Sequence, residues 1–122
     1  MKSIKFTEDH IQKIKSGEKK STLRTVKKDN LYHKDRLVKI ADTDHKIHIK
    51  KRKLVLLKQS GIYRFDSGKK ADKQKIAEYE GFNSFEDLLH WFISRNYNLP
   101  QPMFLYIFEK PDGVETSLGE FP

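Results

Sequence analysis

Apolar residues recur along the chain with two periods, near two and near three and a half, and the switches between them mark out its elements. Ser3 to Phe6 reads as a short strand. Thr7 then stands where a helix N-cap is expected, with Glu8 and Asp9 in the first turn and Gly17 just past the last. Phe6 and Ile11 are spaced to form a hydrophobic staple. That helix offers only Ile11 and Ile14 as an apolar stripe, so it is expected on a surface, with Lys13 and Lys15 turned outward. Ser21 to Val26 alternates, which predicts a strand with Ser21, Leu23 and Thr25 on one face and Thr22, Arg24 and Val26 on the other. Lys27-Lys28-Asp29-Asn30 is a turn, Leu37 to Ala41 another strand, and Asp42-Thr43-Asp44 a further turn.

Ile47 to Leu57 resists simple alternation. Ile47 and Ile49 share a parity with Lys51, Lys53, Val55 and Leu57, so a regular strand would bury two lysines. A bulge or sharp bend near Lys50 to Lys53 resolves the conflict; two short strands are the alternative. Gly61 to Phe65 continues the sheet and Asp66-Ser67-Gly68 closes it. Lys70 to Glu80 predicts a helix stopped by Gly81, with Lys73, Ile76, Ala77 and Glu80 on one face, so Glu80 points toward the protein. Ser84 caps the next helix, where Phe85, Leu88, Leu89 and Phe92 give the clearest helical period and read as core. Leu99-Pro100-Gln101-Pro102 ends that region. Met103 to Phe108 is apolar throughout, as in a strand buried on both faces. The order strand, helix, several strands, two helices, strand argues for an α+β fold, a curled mixed sheet with helices on its rim, and against a doubly wound parallel sheet.

At 122 residues the chain fits one domain, taken as 1–110 with a tail over 111–122 that has no obvious period. Its 25 Lys and Arg against 17 Asp and Glu give a net charge of +8. The excess is uneven: Lys46, Lys50, Lys51, Arg52, Lys53, Lys58 and Arg64 occur between 46 and 65 with no acid among them. A surface charged only for solubility mixes its signs, so this run points to a polyanionic partner. The absence of cysteine removes disulfides, thiolate catalysis and cysteine-ligated metals. The longest apolar stretch, Met103 to Phe108, is too short to span a bilayer, and the start lacks the apolar core of a signal peptide. A cytoplasmic monomer with no membrane partner is the expectation.

Candidate chemistry concentrates in Gly17-Glu18-Lys19-Lys20-Ser21-Thr22-Leu23-Arg24, which crowds three cations and two hydroxyls between a helix and a strand. Such a turn can cradle an anion or polarise a carbonyl. It is not a phosphate-binding P-loop, since Gln12 stands where the first glycine is needed and Glu18 where the lysine is needed. Glu80 sits near a helix C-terminus, where the dipole disfavours an acid, so it asks for a cationic partner; Lys19 across a pocket would serve. His45 and His48, three apart, suit a metal only on a helix, and His10, His33 and His90 are isolated, so neither a metal nor a cofactor is expected. Lys50-Lys51-Arg52-Lys53 is either a solvated hairpin or, with Tyr63 nearby, a track for a phosphate backbone whose bases stack on an aromatic ring.

Four stretches together resemble the ASCH domain, the small branch of the PUA-like superfamily of β-barrels. They are Gly17-x-Lys19-x-x-Thr22-x-Arg24, Asp35-Arg36-Leu37-Val38, Ala77-Glu78-Tyr79-Glu80-Gly81-Phe82 leading to Trp91-Phe92, and Phe104-Leu105-Tyr106-Ile107-Phe108-Glu109. The resemblance runs from about Ile4 to Glu109. It implies a PUA-like mixed β-barrel of five to six strands with peripheral helices, and a basic cleft that binds RNA or a nucleoside-like molecule. Lys20, Arg24, Lys50, Lys51, Arg52 and Lys53 are the binding candidates. One group within the family is similar further, being metal-independent amidohydrolases that deacetylate N(4)-acetylcytidine with a lysine, a threonine and a glutamate. Those roles fall by motif position on Lys19, Thr22 and Glu80. Other family members resemble ribonucleases using the same cleft. The sequence departs from the family pattern at Lys34, where a glycine is usual, and in the basic insert after His45.

Overall fold

Two long strands lying side by side carry the sheet. The computed structural model describes residues 2–109. In chain order these form β1 (Ser3–Ile4), α1 (Glu8–Ser16), β2 (Ser21–Thr25), a 3₁₀ turn (Lys28–Asn30), β3 (Leu37–Ile40), β4 (Lys46–Lys58), β5 (Gly61–Arg64), α2 (Lys73–Tyr79), α3 (Phe85–Ser94) and β6 (Gln101–Glu109). The strands lie in the order β1-β3-β4-β6-β2, with β5 folded back on β4. Only β1 and β3 run parallel. The α+β class is as expected, and the six strands fall within the expected five to six. Closure is not: among the described residues no ladder joins β2 to β1, so the pairing is that of an open sheet. The tail expected over 111–122 lies outside the described residues.

A bulge at Lys50 takes Lys51 and Lys53 off the face of Ile47 and Ile49; they then share a face with Val55 and Leu57 and are half-covered there, not buried. Ile49 pairs with Phe108 of β6, whereas Lys51, two residues on, pairs with the adjacent Ile107. One extra residue therefore flips the strand, since neighbouring residues of β6 face opposite sides. Before the bulge, Ile47 and Ile49 join a core with Tyr106, Phe108, Ile4 and the two isoleucines of α1. After it, Val55 and Leu57 join the other core, with Met103, Leu105 and the apolar faces of α2 and α3. The strand of 103–108 is buried on both sides, as its unbroken apolar run requires, except at the half-covered Phe104.

Helix boundaries follow their caps. Thr7 accepts from the His10 N–H at 3.4 Å, and Gly17 ends α1 in the left-handed region at φ 86°, where a residue without a Cβ is unstrained. α2 starts later than its pattern suggests: Lys70 is bridged to Tyr63, and Asp72 provides the cap. Ser84 caps α3 as expected. α1 departs from expectation in two ways. His10 is buried beside Ile11 and Ile14, and Lys13 is half-covered, donating to the Gly81 carbonyl at 2.8 Å.

Candidate functional site

The site forms where the edge strand β2 meets the C-terminus of α2. Even-numbered residues of β2 exchange hydrogen bonds with β6, as the Phe108 N–H to Lys20 carbonyl bond of 3.0 Å illustrates. The N–H of Leu23 therefore points off the edge of the sheet. An amide buried there without a partner costs about 1–3 kcal/mol. Glu80 supplies that partner. Its Oε1 accepts from the Leu23 N–H at 2.8 Å and its Oε2 from the Ser21 hydroxyl. The carboxylate takes the place of a neighbouring strand and ties α2 to β2.

Lys19 is delivered to the same place by the turn after α1. The turn is held at both ends, by the Lys19 N–H on the Lys13 carbonyl at 3.0 Å and the Lys20 N–H on the Tyr79 carbonyl at 2.6 Å. Lys19 Nζ donates to the Glu80 carbonyl at 2.8 Å and lies 3.8 Å from Glu80 Oε1, both side chains being almost fully buried. Lys13 and Lys19 thus take successive carbonyls, Gly81 and Glu80, at the end of α2, where the helix dipole favours cations. Gly81 has φ 92°, and a Cβ there would come 3.1 Å from Lys13 Cδ and 3.5 Å from Lys19 Cβ. The crossing of the two lysines over it requires glycine.

Burial is the largest influence on the Lys19 amine. It lowers the pKa from 10.5 to about 8, with Glu80 opposing and Arg24 and Lys13 adding to the shift. On the same cavity wall, Thr22 Oγ1 accepts from Arg24 Nε at 3.0 Å. Arg24 is itself held by the Lys5 carbonyl at 2.6 Å, its guanidinium 4.8 Å from the centre of the Phe6 ring. These groups line a cavity of about 360 Å³, at the small end of the size range of small-molecule sites. The rest of its wall is largely aromatic: Phe6, His10, Phe82, Trp91, Phe92 and Tyr97. His10 stacks on Trp91 at 5.5 Å and meets Phe82 edge-on at 5.7 Å. Burial first, then Lys19 and Lys13, lower the His10 pKa from 6.5 to about 4.

Lys19, Thr22, Arg24 and Glu80 are brought together at one cavity. Lys20 is not; its ammonium lies 5.5 Å over the Tyr79 ring, outside the cavity wall. Nor are Lys50, Lys51, Arg52 and Lys53, which occupy the middle of β4 and no hairpin. Lys50 is 3.2 Å from Glu109, and Arg52 donates to the Tyr32 carbonyl at 3.4 Å. Sequence reasoning set His10 aside as isolated and, though it placed Ser21 in the candidate turn, gave it no partner. For His10 the signal was available: positions 10, 11 and 14 share one helix face, so a histidine there belongs to the buried stripe. For the pairing of Ser21 with Glu80 there was none, since the two lie 59 residues apart. His48 faces Glu109 across β4 and β6, and among the described residues no group of three or more His, Asp or Glu side chains is arranged to hold a metal ion. Compared with protein-family models, with curated proteins and with solved structures, the chain matches none.

Proposed function

We propose that this chain is an ASCH-like domain of the PUA-like superfamily, its curled sheet corresponding to the pseudo-barrel of that superfamily, and that its cavity binds a nucleoside-like ligand. The observation that carries this reading is the convergence of Lys19, Thr22, Arg24 and Glu80 on one cavity with aromatic walls. A volume of about 360 Å³ suits a heterocycle with its sugar better than a run of nucleotides. Flat rings favour a planar ligand by stacking, and the cations supply donors for carbonyl oxygens. The basic segment of β4 takes no part in that cavity, so a polynucleotide is the weaker arm of the expectation. Calorimetric titration with cytidine and N(4)-acetylcytidine tests the proposal. Saturable binding with one ligand per chain is expected, and no heat with either nucleoside at millimolar concentration would remove it.

A second reading, hydrolysis of an acetamide such as that of N(4)-acetylcytidine, is favoured by the lowered pKa of Lys19. An amine with a pKa of about 8 is neutral in part of the population near neutral pH and can take a proton. Thr22 Oγ1 already accepts from Arg24, which leaves its own proton free to go to Lys19 as the oxygen attacks the acetyl carbonyl. The C–N bond then breaks, the Lys19 ammonium returns that proton to the leaving amine, and water releases acetate from Thr22. Glu80, with both oxygens accepting from β2, serves better to hold Lys19 than to carry a proton. Incubation with N(4)-acetylcytidine should release cytidine at a rate that rises with pH through about 8. Binding without release would leave the first reading and end the second.

A further inference from the structure

His10 is a polar group of the cavity wall that the arrangement around Lys19 does not use. It is more than nine-tenths buried, and its ring forms part of the cavity wall. Among the described residues neither ring nitrogen has a hydrogen-bond partner; the only bond from this residue is its backbone N–H to Thr7. Buried polar atoms are rarely left without partners, because desolvation is then uncompensated. The ring is also fixed in direction, one face stacked on Trp91 and its plane perpendicular to Phe82. A polar group that is immobile, buried and unpartnered in a cavity wall is arranged to meet something that enters the cavity.

The chemistry of that partner can be narrowed. A neutral imidazole offers one N–H donor and one acceptor nitrogen. Burial above all, and then Lys19 and Lys13 nearby, oppose its protonation, so at neutral pH it presents this neutral pair and not a cation. An anionic ligand is served by the cations Lys19 and Arg24; what His10 adds is recognition of an uncharged polar edge, such as the amide or ring-nitrogen edge of a heterocycle. We propose that His10 reads the uncharged hydrogen-bonding edge of the ligand's planar heterocycle, so that it sets specificity within the cavity while Lys19 and Arg24 engage the ligand's carbonyl oxygen. This inference rests on the nucleoside reading above.

The test uses the full chain with ¹⁵N-labelled histidine, N(4)-acetylcytidine and cytidine as probes, and the His10→Phe and His10→Gln variants, at pH 7.5. Binding by the wild type should move the ring-nitrogen signals of His10, without protonating them. Affinity should fall at least tenfold in His10→Phe, which preserves the flat ring against Trp91, and less in His10→Gln, which keeps a donor and an acceptor. If the wild type binds while the His10 signals stay still, or if a folded His10→Phe binds within twofold of wild type, the role of His10 is overturned and the nucleoside reading stands. If neither nucleoside binds the wild type, the nucleoside reading falls and this inference falls with it. Should His10→Phe not fold, the wild-type ring-nitrogen signals decide the matter alone.

Discussion

The two lysine-rich stretches of this chain, 19–24 and 50–53, are similar in sequence and opposite in structure. In the first, Lys19 is stripped of water, bonded to the Glu80 carbonyl and set on a cavity wall. In the second, four cations lie along a strand, half-covered or exposed, with Lys50 beside Glu109 and Arg52 reaching a backbone carbonyl. Charge density distinguishes them poorly, and by that measure the second stretch is the stronger candidate. What separates them is convergence. The turn after α1 meets an acid from α2 and a hydroxyl from β2, whereas the β4 segment has none of its cations on the cavity wall. A buried amine costs stability, and that cost is offset only by partners placed for it.

That contrast can be broken most severely at Glu80. Glu80→Ala leaves the buried Leu23 amide and Ser21 hydroxyl without an acceptor and removes the carboxylate beside the Lys19 ammonium, which keeps only the backbone carbonyl at position 80, so urea unfolding should show a loss of about 3–5 kcal/mol. A loss under 1 kcal/mol would mean that the clamp between α2 and β2 contributes little.

Lys19 comes next. Its folded pKa of about 8 lies below the unfolded 10.5, so the unfolded chain binds more protons between those values and stability climbs as pH rises from 8 to 10.5. The gain is about 3 kcal/mol by the size of the shift. In Lys19→Met the climb should be absent, so that it appears as the difference between the two proteins' stability curves.

His10 gives a second window on the same pocket. Its folded pKa of about 4 lies below the unfolded 6.5, so its contribution is complete above 6.5 and is lost as pH falls toward 4. The loss is about 3 kcal/mol at most. Thermal melts of His10→Phe between pH 7 and pH 4 should show a correspondingly shallower decline. At Gly81, the positive φ and the close Lys13 contact predict that Gly81→Ala costs about 1–2 kcal/mol in equilibrium unfolding. Alanine at Lys51 or Lys53 should sit at the other end of the scale, within about 0.5 kcal/mol of wild type, as surface changes usually do.

The same contrast explains what could be read from the sequence. Local rules carried the elements: Thr7, Gly17 and Ser84 set helix ends, and the shared parity of Ile49 and Lys51 pointed to the bulge found at Lys50. Where a long-range contact intervened, they failed. The bridge between Lys70 and Tyr63 holds the chain extended in front of α2, and Lys13 is drawn inward by a carbonyl 68 residues away. At the site, helical spacing sufficed to turn Glu80 inward beside Ile76. Ser21, as the partner of a carboxylate 59 positions on, could not be found from its neighbours. The open edge between β1 and β2 belongs to the same class, because closure depends on how far a sheet curls and no single residue encodes that.

The most direct measurement is calorimetric titration of N(4)-acetylcytidine into the wild type, Lys19→Met and the double variant Lys51→Ala, Lys53→Ala. The account predicts saturable binding of one ligand by the wild type, lost in Lys19→Met and unchanged in the β4 variant. Binding that survives in Lys19→Met but disappears with the β4 lysines, or no binding by the wild type, would contradict it.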